Sequence, residues 1–109
     1  MFHMLSCFDL RPGVSLAECQ KSFLQYGEYM VDLGLVDSSD PIGQRDTDTI
    51  LDTDEGRTQQ YFQLMHFTDK DQSERAVAYI KSMQEPGKSI HQQLYAKLEN
   101  MVFVCWADI

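Results

Sequence analysis

Gln59-Gln60-Tyr61-Phe62-Gln63-Leu64-Met65-His66-Phe67 is the stretch on which the fold turns. If it is extended, Gln59, Tyr61, Gln63, Met65 and Phe67 point one way, and Gln60, Phe62, Leu64 and His66 the other. Large side chains stand on both faces, so both must be covered. A chain of 109 residues fits one domain, 1–109, with room for a real core. At that size the second cover is expected from another subunit.

Just before it, Asp46 to Glu55 carries Asp46, Asp48, Asp52, Asp54 and Glu55 and is expected to be an exposed acidic loop. An EF-hand calcium loop needs oxygen ligands at fixed places around a glycine at its sixth position. Counting from Asp46, the fifth and sixth positions are Ile50 and Leu51; counting from Asp52, they are Gly56 and Arg57. That spacing does not make a calcium loop. Arg45 and Arg57 flank the segment and are expected to pair with its aspartates, the alternative being to anchor a carboxylate at a cleft mouth.

Upstream, Leu35 to Arg45 has only Val36 and Ile42 as apolar points, and Asp40-Pro41 and Gly43 interrupt it, which suits an irregular or edge strand. Ser15 with Glu18 three residues later is a capping box. Leu16, Cys19, Gln20, Phe23, Gly27, Met30, Val31 and Gly34 then share one stripe, so a helix is predicted from about Leu16 to Leu33 with Gly34 as its left-handed cap. Met1 to Leu10 alternates as a strand and meets the turn Arg11-Pro12-Gly13.

Downstream, Thr68 or Asp69 caps a second helix, with Asp71 or Gln72 closing its box and Ala76, Val77, Ile80 and Met83 as its apolar stripe. Pro86-Gly87 stops it. A short helix follows from about Lys88 to Leu98, stacking Ile90, Leu94 and Leu98, and Met101 to Trp106 is the last strand.

Seventeen acidic against nine basic residues give a formal charge of −8, which repels polyphosphate, so neither nucleic acid nor an anionic membrane is expected as a partner. No basic region leads into a long apolar segment, and no run of about 18 apolar residues occurs; a soluble, cytoplasmic protein is expected. Cys7, Cys19 and Cys105 are odd in number and lack CxxC spacing, so they are expected reduced, with Cys7 and Cys105 as small buried hydrophobes.

The predicted order, βαββα(α)β, builds an α+β, ferredoxin-like domain: a four-stranded antiparallel sheet with its helices on one face. The other face would carry Phe62, Leu64, His66, Val102, Val104 and Trp106, too much apolar surface to leave in water. A second copy covering it isologously makes a homodimer.

The run Met1-Phe2-His3-Met4-Leu5-Ser6-Cys7-Phe8, Gly13-Val14-Ser15 opening a helix, then Phe67, Tyr79-Ile80, and Pro86 before a short helix resemble the dimeric α+β barrel superfamily. That group includes stress-responsive barrel proteins, antibiotic-biosynthesis-type monooxygenases, haem-degrading oxygenases and some polyketide cyclases. The resemblance implies that two sheets face each other as a barrel and that each subunit keeps a ligand cleft between sheet and helices. It places Met4, Ser6, Phe8, Tyr61, Gln63, Met65, Phe103 and Cys105 toward that cleft, with Phe23, Tyr26 and Met30 from the first helix and Tyr79, Met83, His91 and Tyr95 from the later ones. A cleft so lined suits a small hydrophobic or amphiphilic molecule, fatty-acid-like or polyketide-like.

For chemistry, the cyclases' tyrosine matches Tyr79, whereas Lys88 stands where their histidine would be, leaving His91 about one turn further along. Tyr79 and His91 are therefore the catalytic candidates. His3, His66 and His91 have no metal-ligand spacing, and the strand-one residues that a haem group would need are Met4 and Ser6, so neither metal nor cofactor is expected. Three readings stand: a binder of a small hydrophobic molecule; a cofactor-independent monooxygenase or cyclase using Tyr79, His91 and Ser6; and a structural or interaction dimer whose cleft is filled.

Overall fold

The computed structural model describes residues 1–109 and orders them as β1 (Phe2–Leu10), α1 (Leu16–Asp32), β2 (Ser38–Ser39), β3 (Gly43–Gln44), β4 (Tyr61–Phe67), α2 (Lys70–Lys81), α3 (Gly87–Tyr95) and β5 (Leu98–Ala107). β1 lies at the centre of the sheet. It pairs antiparallel with β4, from Phe2 opposite Phe67 to Phe8 opposite Tyr61, and with β5, from Phe2 opposite Ala107 to Leu10 opposite Leu98. The strand order β2-β4-β1-β5, with β3 also on β4, is the ferredoxin-like split arrangement.

One expected strand proves to be two. Ser38 pairs with His66 and Gly43 with Phe62, and Asp40-Pro41-Ile42 breaks the edge between them because proline has no N–H to give the ladder. The sheet thus has five strands rather than four. The expected short helix to Leu98 also ends early, at Tyr95, since Leu98 already belongs to β5 opposite Leu10. Its four-residue spacing from Leu94 joins two different elements. The opening stretch enters the ladder only at Tyr61; Gln59 is buried beside it, with its Nε2 donating to the Asn100 carbonyl at 2.7 Å.

The helix ends form as their chemistry dictates. The Glu18 N–H donates to Ser15 Oγ at 3.1 Å, and the Gln72 N–H donates to Asp69 Oδ1 at 2.8 Å. Gly34 closes α1 with φ +72°. Gly27 lets α1 cross the edge strand: a Cβ there would lie 2.9 Å from that of Ser39.

β5 carries a bulge. Asp9 faces Glu99 and Cys7 faces Val102, so Asn100 and Met101 share the place opposite Phe8, with Asn100 at φ +53°. The extra residue keeps Leu98 and Phe103 on one side of the sheet although five positions separate them.

All three helices lie on that side. Phe8, Met65 and Phe67 of the sheet pack with Cys19, Phe23, Tyr26 and Met30 of α1, Ala76 of α2, and Leu94 and Leu98. Burial pushes the Cys19 thiol up to about 11, which leaves it inert at neutral pH. Cys105 departs from expectation: it is exposed, because β5 is the outer strand of the sheet. No helix is long and apolar enough to cross a membrane.

The opposite face has no helix. His3, Leu5, Phe62, Leu64, His66 and Val104 are half-buried there, and Val102 and Trp106 are exposed. Part of it is sheltered by the acidic loop, which leaves a cavity of about 530 Å³ between Leu5, Cys7, Phe62 and Val104 below and Arg45, Asp52, Asp54 and Arg57 above. Arg45 fastens the loop. Its Nε and Nη2 donate to Asp52 Oδ2 and Oδ1 at 2.8 and 2.9 Å, and Nη2 donates to the Asp54 carbonyl at 2.6 Å. Arg57 Nε donates to Asp54 Oδ2 at 2.7 Å. The loop tip holds Ile50 and Leu51, 94% and 87% exposed.

Candidate ligand cavity

Between the sheet and the helices lies a cavity of about 370 Å³. Strand alternation supplies its floor: Phe2 and Met4 of β1, Met65 and Phe67 of β4, and Cys105 of β5. The apolar stripe of α2, with Ala76, Val77 and Ile80, forms one wall, and Tyr26 of α1 with His91 and Tyr95 of α3 forms another. Ser73 and Lys81 are its other polar residues.

The polar groups of the α1–α3 wall sit together. The His91 ring is 4.4 Å from the Tyr95 ring and 5.6 Å from that of Tyr26, centre to centre. Burial pushes the His91 imidazole below its ordinary value, so it is neutral at pH 7. Burial raises the Tyr26 and Tyr95 phenols, Tyr26 further because Tyr95 lies beside it, and both stay protonated. The wall therefore offers hydroxyl donors and a neutral imidazole in apolar surroundings, without fixed charge.

Of the residues assigned to the cleft from the sequence, Met4, Tyr26, Met65, His91, Tyr95 and Cys105 line this cavity. Phe8, Phe23 and Met30 pack as core, with the Phe8 ring 5.4 Å from that of Phe23 and 6.0 Å from that of Tyr61. Ser6 is buried outside the lining. Gln63 is tied to the edge strand, its Nε2 at 2.7 Å from Ser39 Oγ and 2.9 Å from the Asp40 carbonyl. Met83 is exposed, just past the end of α2 at φ +58°.

Tyr79 does not line the cavity and makes two contacts of its own. Its hydroxyl bonds that of Tyr29 at 2.5 Å, which raises the Tyr29 phenol, and its ring fills the space that a Cβ on Gly87 would take, 2.6 Å away. Of the two catalytic candidates, His91 lines the cavity and Tyr79 does not. Phe2, Phe67 and the α2 wall are additional lining residues. Extending the strand parity two residues beyond Met4 and Met65 finds the first two, and α2's stripe was already legible. No group of three His, Cys, Asp or Glu side chains is arranged to hold a metal ion.

No protein-family model and no curated protein matches the chain. Solved structures do. The crystal structure of At3g17210 from Arabidopsis thaliana superposes with a TM-score of 0.75 over 100% of this chain and 96% of that one, at 10% identity. A dimeric ferredoxin-like protein of unknown function from Jannaschia sp. CCS1 gives 0.62 over 98% of each chain, at 13% identity. An antibiotic biosynthesis monooxygenase gives 0.58 over 100% of this chain and 99% of that one, at 12% identity. Likeness at such identities is a likeness of fold: the chain has the ferredoxin-like α+β architecture that its resemblance to the dimeric α+β barrels implies.

Proposed function

We propose that the protein is a homodimer, paired through its open sheet face, that binds a small hydrophobic or amphiphilic molecule between sheet and helices. One observation carries the binding reading: a cavity of about 370 Å³ with mostly apolar walls and a few converging polar groups in Tyr26, His91 and Tyr95. Ligand pockets have that size and make-up. The volume also speaks against a filled cleft, since Phe8, Phe23 and Met30 pack beside the space rather than within it. The dimer reading rests on the apolar face, which no helix covers and the acidic loop shelters only in part, and on the dimeric protein of the same fold from Jannaschia sp. CCS1.

Native mass spectrometry of gently purified protein tests both parts. The expected result is a dimer that retains a lipid-sized adduct or takes up a fluorescent fatty acid. Val77→Trp, a change at a half-exposed wall residue, should abolish uptake while leaving the dimer intact. A dimer that takes up no hydrophobic probe under any condition sinks the binding reading.

A second reading, general-base catalysis, is favoured by His91 alone. Its neutral imidazole faces the same space as two phenols, and it is a base that a bound substrate could reach. Tyr79 and Ser6 do not share that space.

A further inference from the structure

On the open face, four side chains from four parts of the chain form one continuous line. Asp108 Oδ1 lies 2.8 Å from His3 Nε2, His3 Nδ1 lies 2.7 Å from His66 Nδ1, and His66 Nε2 lies 2.9 Å from Asp40 Oδ2. The register places the two imidazoles directly opposite each other on β1 and β4. Trp106, opposite His3 on β5, lies over its ring at 5.2 Å, where an aromatic face favours a positive imidazole.

Counting donors gives the proton content at which every contact in this line is a hydrogen bond. A carboxylate only accepts, so each Nε2 must carry a hydrogen. The two facing Nδ1 atoms can share just one. That makes three N–H on two rings, one more than two neutral imidazoles possess, so all three contacts are satisfied together when the line holds a single extra proton between two carboxylates. Moving one hydrogen onto Asp40 or Asp108 leaves the total unchanged. With one proton fewer, a lone pair meets either a carboxylate or the other imidazole. With one more, two N–H groups point at each other across 2.7 Å.

We propose that the open face is a proton-linked self-association surface, closed by a second copy only while the Asp108–His3–His66–Asp40 line holds its one shared proton. This rests on the homodimer reading given above. The partner is a second copy because the line sits among Leu5, Leu64, Val104 and Trp106, an apolar surface that this chain's own helices leave uncovered. The other charged group at the line is the α-amino group of Met1, 3.3 Å from Asp108 Oδ2. With its proton the line and this ammonium together are neutral; losing the proton leaves a net −1 on each of two faces that must meet, and gaining another drives the rings apart. Dimerisation should therefore be strongest at intermediate pH and weaken on both sides.

Analytical ultracentrifugation of the full chain from pH 5 to 9, the range spanning histidine titration, tests this. The wild type should show a dissociation constant that passes through a minimum and rises at least about tenfold toward each end. His66→Asn and His3→Asn should each remove the minimum, and imidazole nitrogen NMR at the minimum should count three N–H on the two wild-type rings. A wild-type dimer whose pH profile matches those of both variants overturns the proton linkage and leaves the dimer standing; a chain monomeric at every pH overturns both. If neither variant folds, the NMR count decides: two N–H, or four, refutes the proposal.

Discussion

The two faces of β4 treat histidine in opposite ways. His91, packed toward the helix side, is surrounded by Tyr26, Tyr95 and aliphatic side chains, and burial alone moves its proton equilibrium, downward. His66, on the open side, is bonded at both ring nitrogens, to His3 and Asp40. A group without partners in an apolar site stays neutral and chemically free, whereas one bonded at both ends is committed to its neighbours. In the proposed function the helix side receives a foreign molecule and the open side meets a copy of itself.

That contrast predicts where each substitution will register. Phe8→Ala empties the centre of the helix-side core and should lower unfolding free energy by about 3–5 kcal/mol in a urea titration. Trp106→Ala on the open face should do the reverse: the dimer dissociation constant should rise by roughly 30-fold or more, while a dilute sample unfolds nearly as the wild type does. If Trp106→Ala instead destabilised the monomer as Phe8→Ala does, the division of labour between the faces would fail. Gly87→Ala drives a Cβ into the Tyr79 ring and should cost about 1–3 kcal/mol in the same titration, through the seating of α3.

The smallest effect concerns pH. The folded-state value of His91 lies below its unfolded value of about 6.5, so its contribution to stability is fully present above that pH and is lost as pH falls through it toward the folded value. His91→Gln should flatten part of the decline in melting temperature between about pH 7 and 5. An unchanged acid slope would mean that His91 is not sequestered in the cavity wall.

The sequence disclosed much of this. Alternation along Met1–Leu10 and Gln59–Phe67 sets the faces, and Ser15, Gly34 and Asp69 mark helix ends that form as local hydrogen bonding requires. What escaped it depends on partners distant in the chain. Nothing near Tyr79 announces that Tyr29 will take its hydroxyl, and nothing near Cys7 that residues past Arg45 will fold over it. The His3–His66 bond escaped for the same reason: parity puts both on the open side, but only the register of β1 on β4 makes them neighbours. The spacing of Leu94 and Leu98 misled because a helix and the following strand can both bury a leucine four residues apart.

The bulge in β5 bears on how the chain tolerates changes of length. On either side of it, β5 pairs with β1 in regular antiparallel fashion, so Asn100 is surplus to the ladder. Deleting it would leave Leu98 opposite Leu10 and Val102 opposite Cys7, with every downstream side chain on its present face. The shortened chain would lose only the local ties, from Asn100 Nδ2 to Asp9 Oδ2 and from Gln59 to the Asn100 carbonyl. Deletion one turn away, inside α3, has no such escape, because it would rotate His91 out of the wall it shares with Tyr26 and Tyr95.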